Sequence, residues 1–188
     1  MFPLSGSTKC CERIKQMKYR IFLWSDCDRS CHGCCNKDWD LTSLAVFDLN
    51  DFNHCDEVML TGGEPLLDAN SLQKVLAVAK KIKDKKDVPV YVYTATSSYT
   101  LLAALVMSGL IDGITLTLHD QRDAENLFII NPYNADDFVR SGKTLRLNVF
   151  KGIKLPDYLS SHWVVKDNIE WIKNCPLPKD EVFVKWRW

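Results

Sequence analysis

Three cysteines with C-x3-C-x2-C spacing are the residues in this sequence best suited to chemistry. Cys27, Cys31 and Cys34 fall within one short stretch, and Cys35 follows directly. Three thiolates can hold three irons of a four-iron, four-sulfur (4Fe-4S) cluster, which leaves the fourth iron open to a non-protein ligand. The same spacing also suits a structural zinc site, with Cys35 or His32 as the fourth ligand. The spacing alone is therefore compatible with either a 4Fe-4S cluster or a zinc site.

A second candidate group is the pair of glycines in the sequence Thr-Gly-Gly-Glu-Pro at residues 61–65. Gly62 and Gly63 would let the backbone approach a ligand closely, and Glu64 supplies an acceptor suited to an ammonium group. Pro65 fixes the turn that starts the next segment. Taken by itself, the segment is also compatible with an ordinary turn.

The strands and helices that must position these groups alternate along the chain. Runs of β-branched and aromatic residues predict six strands, at residues 19–24, 57–61, 88–95, 113–118, 144–150 and 181–186. Helical spacing predicts a helix over 71–83, capped by Asn70 or Ser71, and another over 98–108, which Gly109 would end. Weaker patterns predict helices over 41–51, 134–141 and 166–174.

Alternating strands and helices indicate a parallel α/β sheet with flanking helices. A complete eight-fold barrel takes about 250 residues, so 188 residues predict an incomplete (β/α)6-type barrel or an open sheet. We expect a single domain over 1–188, with an extension at 1–18, a core at 19–150, and a segment at 151–188 able to cover an active site. Polar groups at residues 27–35, 61–65, 94–97 and 119–120 would then meet at one edge, because parallel strands gather their carboxyl ends there.

Composition limits the classes of function. The 24 Lys and Arg balance the 24 Asp and Glu, so the net charge is zero, and nucleic acid is not the default partner. The longest apolar run, residues 101–107, is far shorter than the roughly 20 residues of a membrane span. Four of the eight cysteines crowd into residues 27–35, which favours a metal site over pairing with distant cysteines. We therefore expect a soluble cytoplasmic protein.

Taken together, the cysteine spacing and the Gly-Gly-Glu-Pro segment resemble the radical S-adenosylmethionine superfamily over residues 19–150. The resemblance implies that Cys27, Cys31 and Cys34 bind a 4Fe-4S cluster and that S-adenosylmethionine chelates the open iron. It also implies reductive cleavage to methionine and a 5′-deoxyadenosyl radical, which abstracts hydrogen from a small-molecule substrate. The electron would come from a donor such as flavodoxin or ferredoxin.

The same resemblance implies the residues that bind S-adenosylmethionine. Gly62, Gly63 and Glu64 would contact its methionyl amino group. Thr94 and Thr96 sit where family members often place polar contacts to the cofactor, although a hydroxyl there can equally cap a strand end.

Residues 31–37 also resemble the activating enzymes of anaerobic ribonucleotide reductase, which read C-x-G-C-x-N at this point. This likeness adds Asn36 to the implied cofactor-binding residues and is extended by Trp39. Asn148 resembles a polar strand residue that reaches the ribose in some members of the superfamily. Gly33 departs from the aromatic residue that many members carry before the third cysteine. An activating enzyme would install a glycyl radical on a partner protein, but its pattern after the fourth strand is missing here.

Several residues keep alternative interpretations. Cys35 adjoins a ligand and is expected not to bind the cluster, and His119 and Asp120 can contact substrate or belong to the wall of the site. No role is assigned to the four remaining cysteines, which are Cys10, Cys11, Cys55 and Cys175. A third hypothesis is a non-enzymatic binding module stabilised by zinc.

Overall fold

The computed structural model describes residues 17–50, 54–129, 138, 140–155 and 163–188. The strands of its sheet are β1 (Met17–Phe22), β2 (Cys55–Thr61), β3 (Val90–Thr94), β4 (Gly113–Leu118), β5 (Thr144–Phe150), β6 (Trp163–Ile169) and β7 (Glu181–Lys185). The α-helices are α1 (Ala69–Lys85), α2 (Tyr99–Met107) and α3 (Gln121–Ile129). The architecture is therefore mixed α/β, as the alternation of patterns predicts.

All seven strands form one parallel sheet in the order β6-β5-β4-β3-β2-β1-β7. From β1 to β6 each new strand is added beside the previous one, so the chain advances across the sheet in one direction. The last strand, β7, instead pairs with β1 at the opposite edge. Parallel pairing brings the loops after β1 to β5 to one edge of the sheet, which is where the chemistry-bearing residues lie.

One face of the sheet carries the helices. Strand residues of alternate positions, such as Leu60, Val92 and Ile114, are fully buried together with Val75 of α1 and Leu105 of α2. A second cluster packs Ala124 of α3 against the ends of β4 and β5 on the same face. Because successive side chains of a strand point to opposite faces of the sheet, residues two positions apart build this apolar face.

The opposite face of the sheet is more polar. The Arg20 guanidinium contacts the Glu181 carboxylate at 2.7 Å, so it ties β1 to β7. Arg146 lies 4.3 Å above the ring centre of Tyr91 and 3.7 Å from the Glu57 carboxylate. Arg20 and Glu181 thus pair across neighbouring strands, whereas Arg146 of β5 reaches across β4 to side chains of β3 and β2.

The long helix α1 starts two residues before its predicted limit and ends two residues after it. Its capping residue is Asp68, whose carboxylate accepts the backbone N–H of Ser71 at 2.7 Å, rather than Asn70 or Ser71. Helix α2 matches its predicted range to within one residue, and Gly109 follows it with φ of 73°. That left-handed conformation is easily adopted by glycine, as expected for a helix stop.

Two predicted helices are wrong. Residues 41–50 form turns and a single bridge between Val46 and Lys185, because the Asp40 carboxylate accepts the N–H groups of Thr42 and Ser43 and closes a local turn instead. Residues 166–174 are not helical either, since the stretch to Ile169 is strand β6, which pairs with β5. This strand, absent from the prediction, brings the sheet to seven.

Some predictions fall on other parts of the chain. Most of the extension at 1–18, with Cys10 and Cys11, and most of the helix predicted over 134–141 lie outside the described residues. Among the residues that are described, no helix has the length and apolar character needed to cross a membrane.

Candidate metal centre

The loop after β1 carries three cysteines that are free thiols. Cys27 is exposed, whereas Cys31 and Cys34 are partly buried. The loop has no regular structure until a short 3-10 helix, Cys35–Lys37, begins directly after Cys34. The three thiols therefore lie on an irregular loop at the carboxyl end of a strand, within reach of solvent.

The electrostatics of this loop suit a cationic group. Burial raises the pKa of Cys27, and the negative charges of Glu64 and Cys34 add to the shift, while the backbone N–H of Arg29 opposes it. Burial also raises the pKa of Cys31, and the charge of Cys34 contributes. Thiolates that repel one another in this way are stabilised by a bound metal, which supplies the missing positive charge.

The donor set of the loop consists of soft thiols. Within the described ranges, no three His, Cys, Asp or Glu side chains lie together as the ligands of one metal ion. A 4Fe-4S cluster can accept each cysteine at a different iron, so three thiols along one loop are a donor set of the type that it uses.

The predicted glycine pair makes a close contact between two loops. An added Cβ on Gly63 would lie 2.1 Å from the Asp26 carbonyl oxygen, and one on Gly62 would lie 2.6 Å from that of Trp24. The Gly63 N–H donates to the Trp24 carbonyl at 2.7 Å, and the Glu64 N–H donates to the Asp26 carbonyl at 2.8 Å. The glycines therefore let the end of β2 pack against the backbone that leads into Cys27.

Glu64 lies in a buried hydrogen-bond network with the end of β3. Its carboxylate accepts the Thr94 hydroxyl at 2.5 Å and the N–H groups of Leu66 and Ala95 at 2.8 Å each. Burial raises the pKa of Glu64, although these three hydrogen bonds favour the charged form. The structure thus joins Glu64 and Thr94, two of the residues predicted to bind the cofactor.

The other predicted residues fall at different distances from this network. Asn36 donates its side-chain N–H to the Gly62 carbonyl at 2.8 Å, which connects the two loops. Thr96 accepts the Ser98 N–H at 3.3 Å and lines a cavity of about 450 Å³. Asn148 lies on β5, 3.5 Å from the Thr117 hydroxyl. The structure thus brings Asn36 to the glycine pair and leaves Asn148 two strands away from β3.

That cavity lies beside the cysteine loop and is lined mainly by polar groups. Asp28 from the loop faces Thr96 and Ser98, which precede α2, and Asn126 of α3. Leu67 and Leu101 supply the apolar part of the wall. The volume suits a small molecule with hydrogen-bonding groups.

An ion pair that the sequence did not indicate fixes the same loop. Arg29, between the first two cysteines, contacts the Asp123 carboxylate at 2.7 and 2.8 Å and donates to the Ala95 carbonyl at 2.6 Å. Asp123 also accepts the backbone N–H of His119 at 2.7 Å. Burial alone would raise the pKa of Asp123, but the hydrogen bond from Arg29 and those from the backbone hold it below its usual value. In the sequence, the only indication of this ion pair is that Arg29 lies between two cysteines.

Trp171, in the segment between β6 and β7, packs directly on the cysteine loop. An added Cβ on Gly33 would lie 2.6 Å from its ring. The indole also stacks on His119, with ring centres 5.3 Å apart and planes at 10°, and contacts Phe150 at 4.3 Å. Burial lowers the pKa of His119. Among the described residues its buried Nδ1 has no hydrogen-bond partner, and the Asp123 carboxylate lies 4.0 Å from it. The lowered pKa favours the neutral form of the ring beside Trp171.

Cys35 forms a disulfide with Cys175, with the two Cα atoms 5.4 Å apart. The expectation that this crowded block does not pair with distant cysteines is wrong for Cys35, because the segment after β6 passes over the loop and brings Cys175 to it. Cys55, another cysteine with no assigned role, is a buried free thiol whose pKa is raised by burial.

A family model described as a 4Fe-4S single cluster domain matches residues 17–119 of this chain. The matched region begins at β1 and contains the three free cysteines of the loop after β1, the glycine pair, Glu64 and Thr94. No curated protein matches the sequence significantly.

Proposed function

This chain is an iron–sulfur protein that belongs to the 4Fe-4S single cluster domain family, and we propose that it is a radical S-adenosylmethionine enzyme acting on a small molecule. The observation that carries the proposal is the contact between two loops. The C-x3-C-x2-C loop and the Gly-Gly-Glu-Pro loop are hydrogen-bonded to each other through Gly63, Glu64 and Asn36. Each motif on its own is common to many proteins, but their contact at one sheet edge suits a shared ligand.

Cys27, Cys31 and Cys34 would hold the cluster, and the fourth cysteine of the block is already bonded to Cys175. When bound, a 4Fe-4S cluster with one open iron supplies an electron for cleavage of the sulfonium of S-adenosylmethionine, giving methionine and a 5′-deoxyadenosyl radical.

The residues around the loop would orient S-adenosylmethionine and exclude water from it. Glu64 is the buried carboxyl group of the loop after β2, and its three hydrogen-bond donors favour its charged form. We propose it as the acceptor for the methionyl ammonium, with Gly62 and Gly63 beside it. Thr94, Thr96, Asn36 and Asn148 complete the proposed set. The cavity next to Asp28 would take the substrate.

A second candidate is an activating enzyme that makes a glycyl radical on a partner protein. The observation in its favour is the sequence of residues 31–37, whose Asn36 contacts the Gly62 carbonyl. In both cases the electron donor would be a low-potential protein such as flavodoxin or ferredoxin. A small polar cavity favours the small-molecule enzyme, since a peptide loop needs a longer groove.

Anaerobic reconstitution tests the proposal. We expect about four irons and as many acid-labile sulfides per chain, and 5′-deoxyadenosine on addition of S-adenosylmethionine and dithionite. Cys31→Ala should lose most of the iron and all of the cleavage, because one ligand is removed. Cys55→Ala is the matched control and should retain both, since this thiol is buried in the core.

Three results would contradict the proposal in different ways. A colourless protein with one zinc and no sulfide would support the zinc-stabilised binding module instead. A full cluster that never cleaves S-adenosylmethionine would leave an iron–sulfur protein of another activity. Cleavage at the parent rate by Cys31→Ala would show that the ligand assignment is wrong.

A further inference from the structure

We propose that the Cys35–Cys175 pair is a dithiol–disulfide switch that fastens residues 170–175 over the cysteine loop and releases them on reduction. We call these residues the strap. They leave β6 at its carboxyl end, because Ile169 pairs with Phe150 at the end of β5. The chain then reaches β7, which pairs with β1 at the far edge of the sheet. The strap therefore crosses the edge where the candidate metal centre lies.

The contacts of the strap show what it covers. Trp171 lies on Gly33 between the second and third cysteines and against His119 and Phe150 at the ends of β4 and β5. Trp171 therefore fills the space between the cysteine loop and the ends of β4 and β5. A molecule that approaches the loop from this side must displace the indole.

Apart from the disulfide, non-covalent contacts hold the strap within the part of the chain that the structure describes. Ile172 is 64% exposed, and the Trp171 ring, which packs on Gly33, His119 and Phe150, is still 38% exposed. The Trp39 indole donates to the Cys175 carbonyl at 3.1 Å, and Glu170 forms only an exposed ion pair with Lys151. The disulfide is thus the one covalent anchor of the strap among these contacts.

The backbone of the strap is also strained. Asn174 and Cys175 have φ of 64° and 30°, in the left-handed region that residues other than glycine seldom adopt. Such conformations persist where surrounding contacts enforce them. The bond to Cys35 is one such contact, and the hydrogen bond from the Cys175 N–H to the Ile172 carbonyl at 3.3 Å is another. Breaking the disulfide would therefore remove part of what holds these conformations.

Reduction of the pair is simple thiol–disulfide exchange. One thiolate of a dithiol reductant, such as a thioredoxin-type protein, attacks a sulfur of the disulfide, and its second thiol resolves the mixed disulfide. The S–S bond breaks, Cys35 and Cys175 become thiols, and the reductant becomes a disulfide, so two electrons and two protons are transferred. Both cysteines are only partly buried, which leaves the bond open to attack. The reducing conditions that an iron–sulfur centre needs would also open the strap.

Hydrogen–deuterium exchange of the full cluster-loaded chain under anaerobic conditions tests this switch. With oxidised glutathione, peptide mapping should find Cys35 bonded to Cys175 and the amides of the strap protected. With reduced dithiothreitol, we expect these amides to exchange at least about tenfold faster while β2 and β3 remain unchanged. Cys175→Ser should exchange quickly under both conditions, and Cys55→Ala should respond as the parent chain does.

Two results would overturn the proposal, and neither depends on cleavage of S-adenosylmethionine. One is alkylation of Cys35 and Cys175 in the oxidised sample, which would show that they are not bonded. The other is a bonded pair whose reduction leaves exchange in the strap unchanged, which would make the disulfide a static crosslink. Protection of β2 and β3 in every sample separates opening of the strap from general unfolding.

Discussion

The two loops that follow β1 and β2 are fixed in opposite ways. The Gly-Gly-Glu-Pro loop is buried, and its own backbone and Glu64 make the contacts that hold it. The cysteine loop is largely exposed and is held from outside, by Asp123 of α3, by Trp171 and by Cys175. The first loop is a rigid part of the sheet edge. The second depends on parts of the chain far away in sequence, which suits a loop that must accept a metal.

The largest loss of stability should come from adding one methyl group to the rigid Gly-Gly-Glu-Pro loop. In Gly63→Ala the new Cβ would meet the backbone oxygen of Asp26 at 2.1 Å, and neither backbone can move without breaking the hydrogen bonds between the loops. We expect a loss of about 3 kcal/mol or more in the free energy of unfolding, measured by urea denaturation.

Gly33→Ala is the matched change in the cysteine loop. Its new Cβ would meet the ring of Trp171 at 2.6 Å, but this side chain lies on the exposed strap and can move aside. The loss should therefore be clearly smaller than for Gly63→Ala. Equal losses from the two variants would contradict the contrast between a rigid loop and an externally held one.

An intermediate effect is expected from Asp123→Asn. Removing the charge leaves Arg29 partly buried without a carboxylate partner, and the Ala95 carbonyl and one neutral amide oxygen of the substituted side chain are weaker acceptors. Loss of one partner from a fully buried pair costs roughly 3–5 kcal/mol, and partial exposure of Arg29 reduces this to about 2 kcal/mol. Urea denaturation measures the change. Asp84→Asn, which removes an exposed ion pair with Lys80, is the control and should have no measurable effect. A loss no greater than that of the control would show that Arg29 does not anchor the loop.

The smallest expected effect is a change in the pH dependence of stability when His119 is replaced. Burial keeps the pKa of His119 below its usual value of 6.5, so the unfolded chain takes up a proton that the folded chain does not as pH falls through 6.5. Stability conferred by the neutral ring is present above pH 6.5 and is lost below it. His119→Phe should remove part of the stability difference between pH 7.5 and pH 5.5, by less than the Asp123→Asn loss. An identical pH dependence in both proteins would contradict the assignment.

Local patterns predicted the parallel sheet and the position of the cysteine loop, because strand periodicity and strand-end residues are properties of short segments. Two strands, β4 and β5, match their predicted bounds, and α1 and α2 agree within two residues. The prediction was wrong where tertiary contacts decide the structure. Residues 163–169 carry no apolar alternation typical of a half-buried strand, and only pairing with β5 makes them one.

The same reasoning explains which site residues were missed. The cysteines and the glycine pair form motifs with fixed spacing, so they can be recognised from the sequence alone. Arg29 with Asp123, and Gly33 with Trp171, are each brought together only by the fold. Neither member of those pairs is unusual for its own segment.

The pairing of β7 with β1 has a consequence for the order in which the molecule is built. Arg20 and its partner Glu181 are 161 positions apart, and Cys35 and Cys175 are separated by 140. On the ribosome, the cysteine loop and its neighbouring glycine loop emerge well before the strap and β7 are synthesised. The three thiols are therefore accessible to iron delivery, and equally to oxidants, throughout the time in which the rest of the chain is being made.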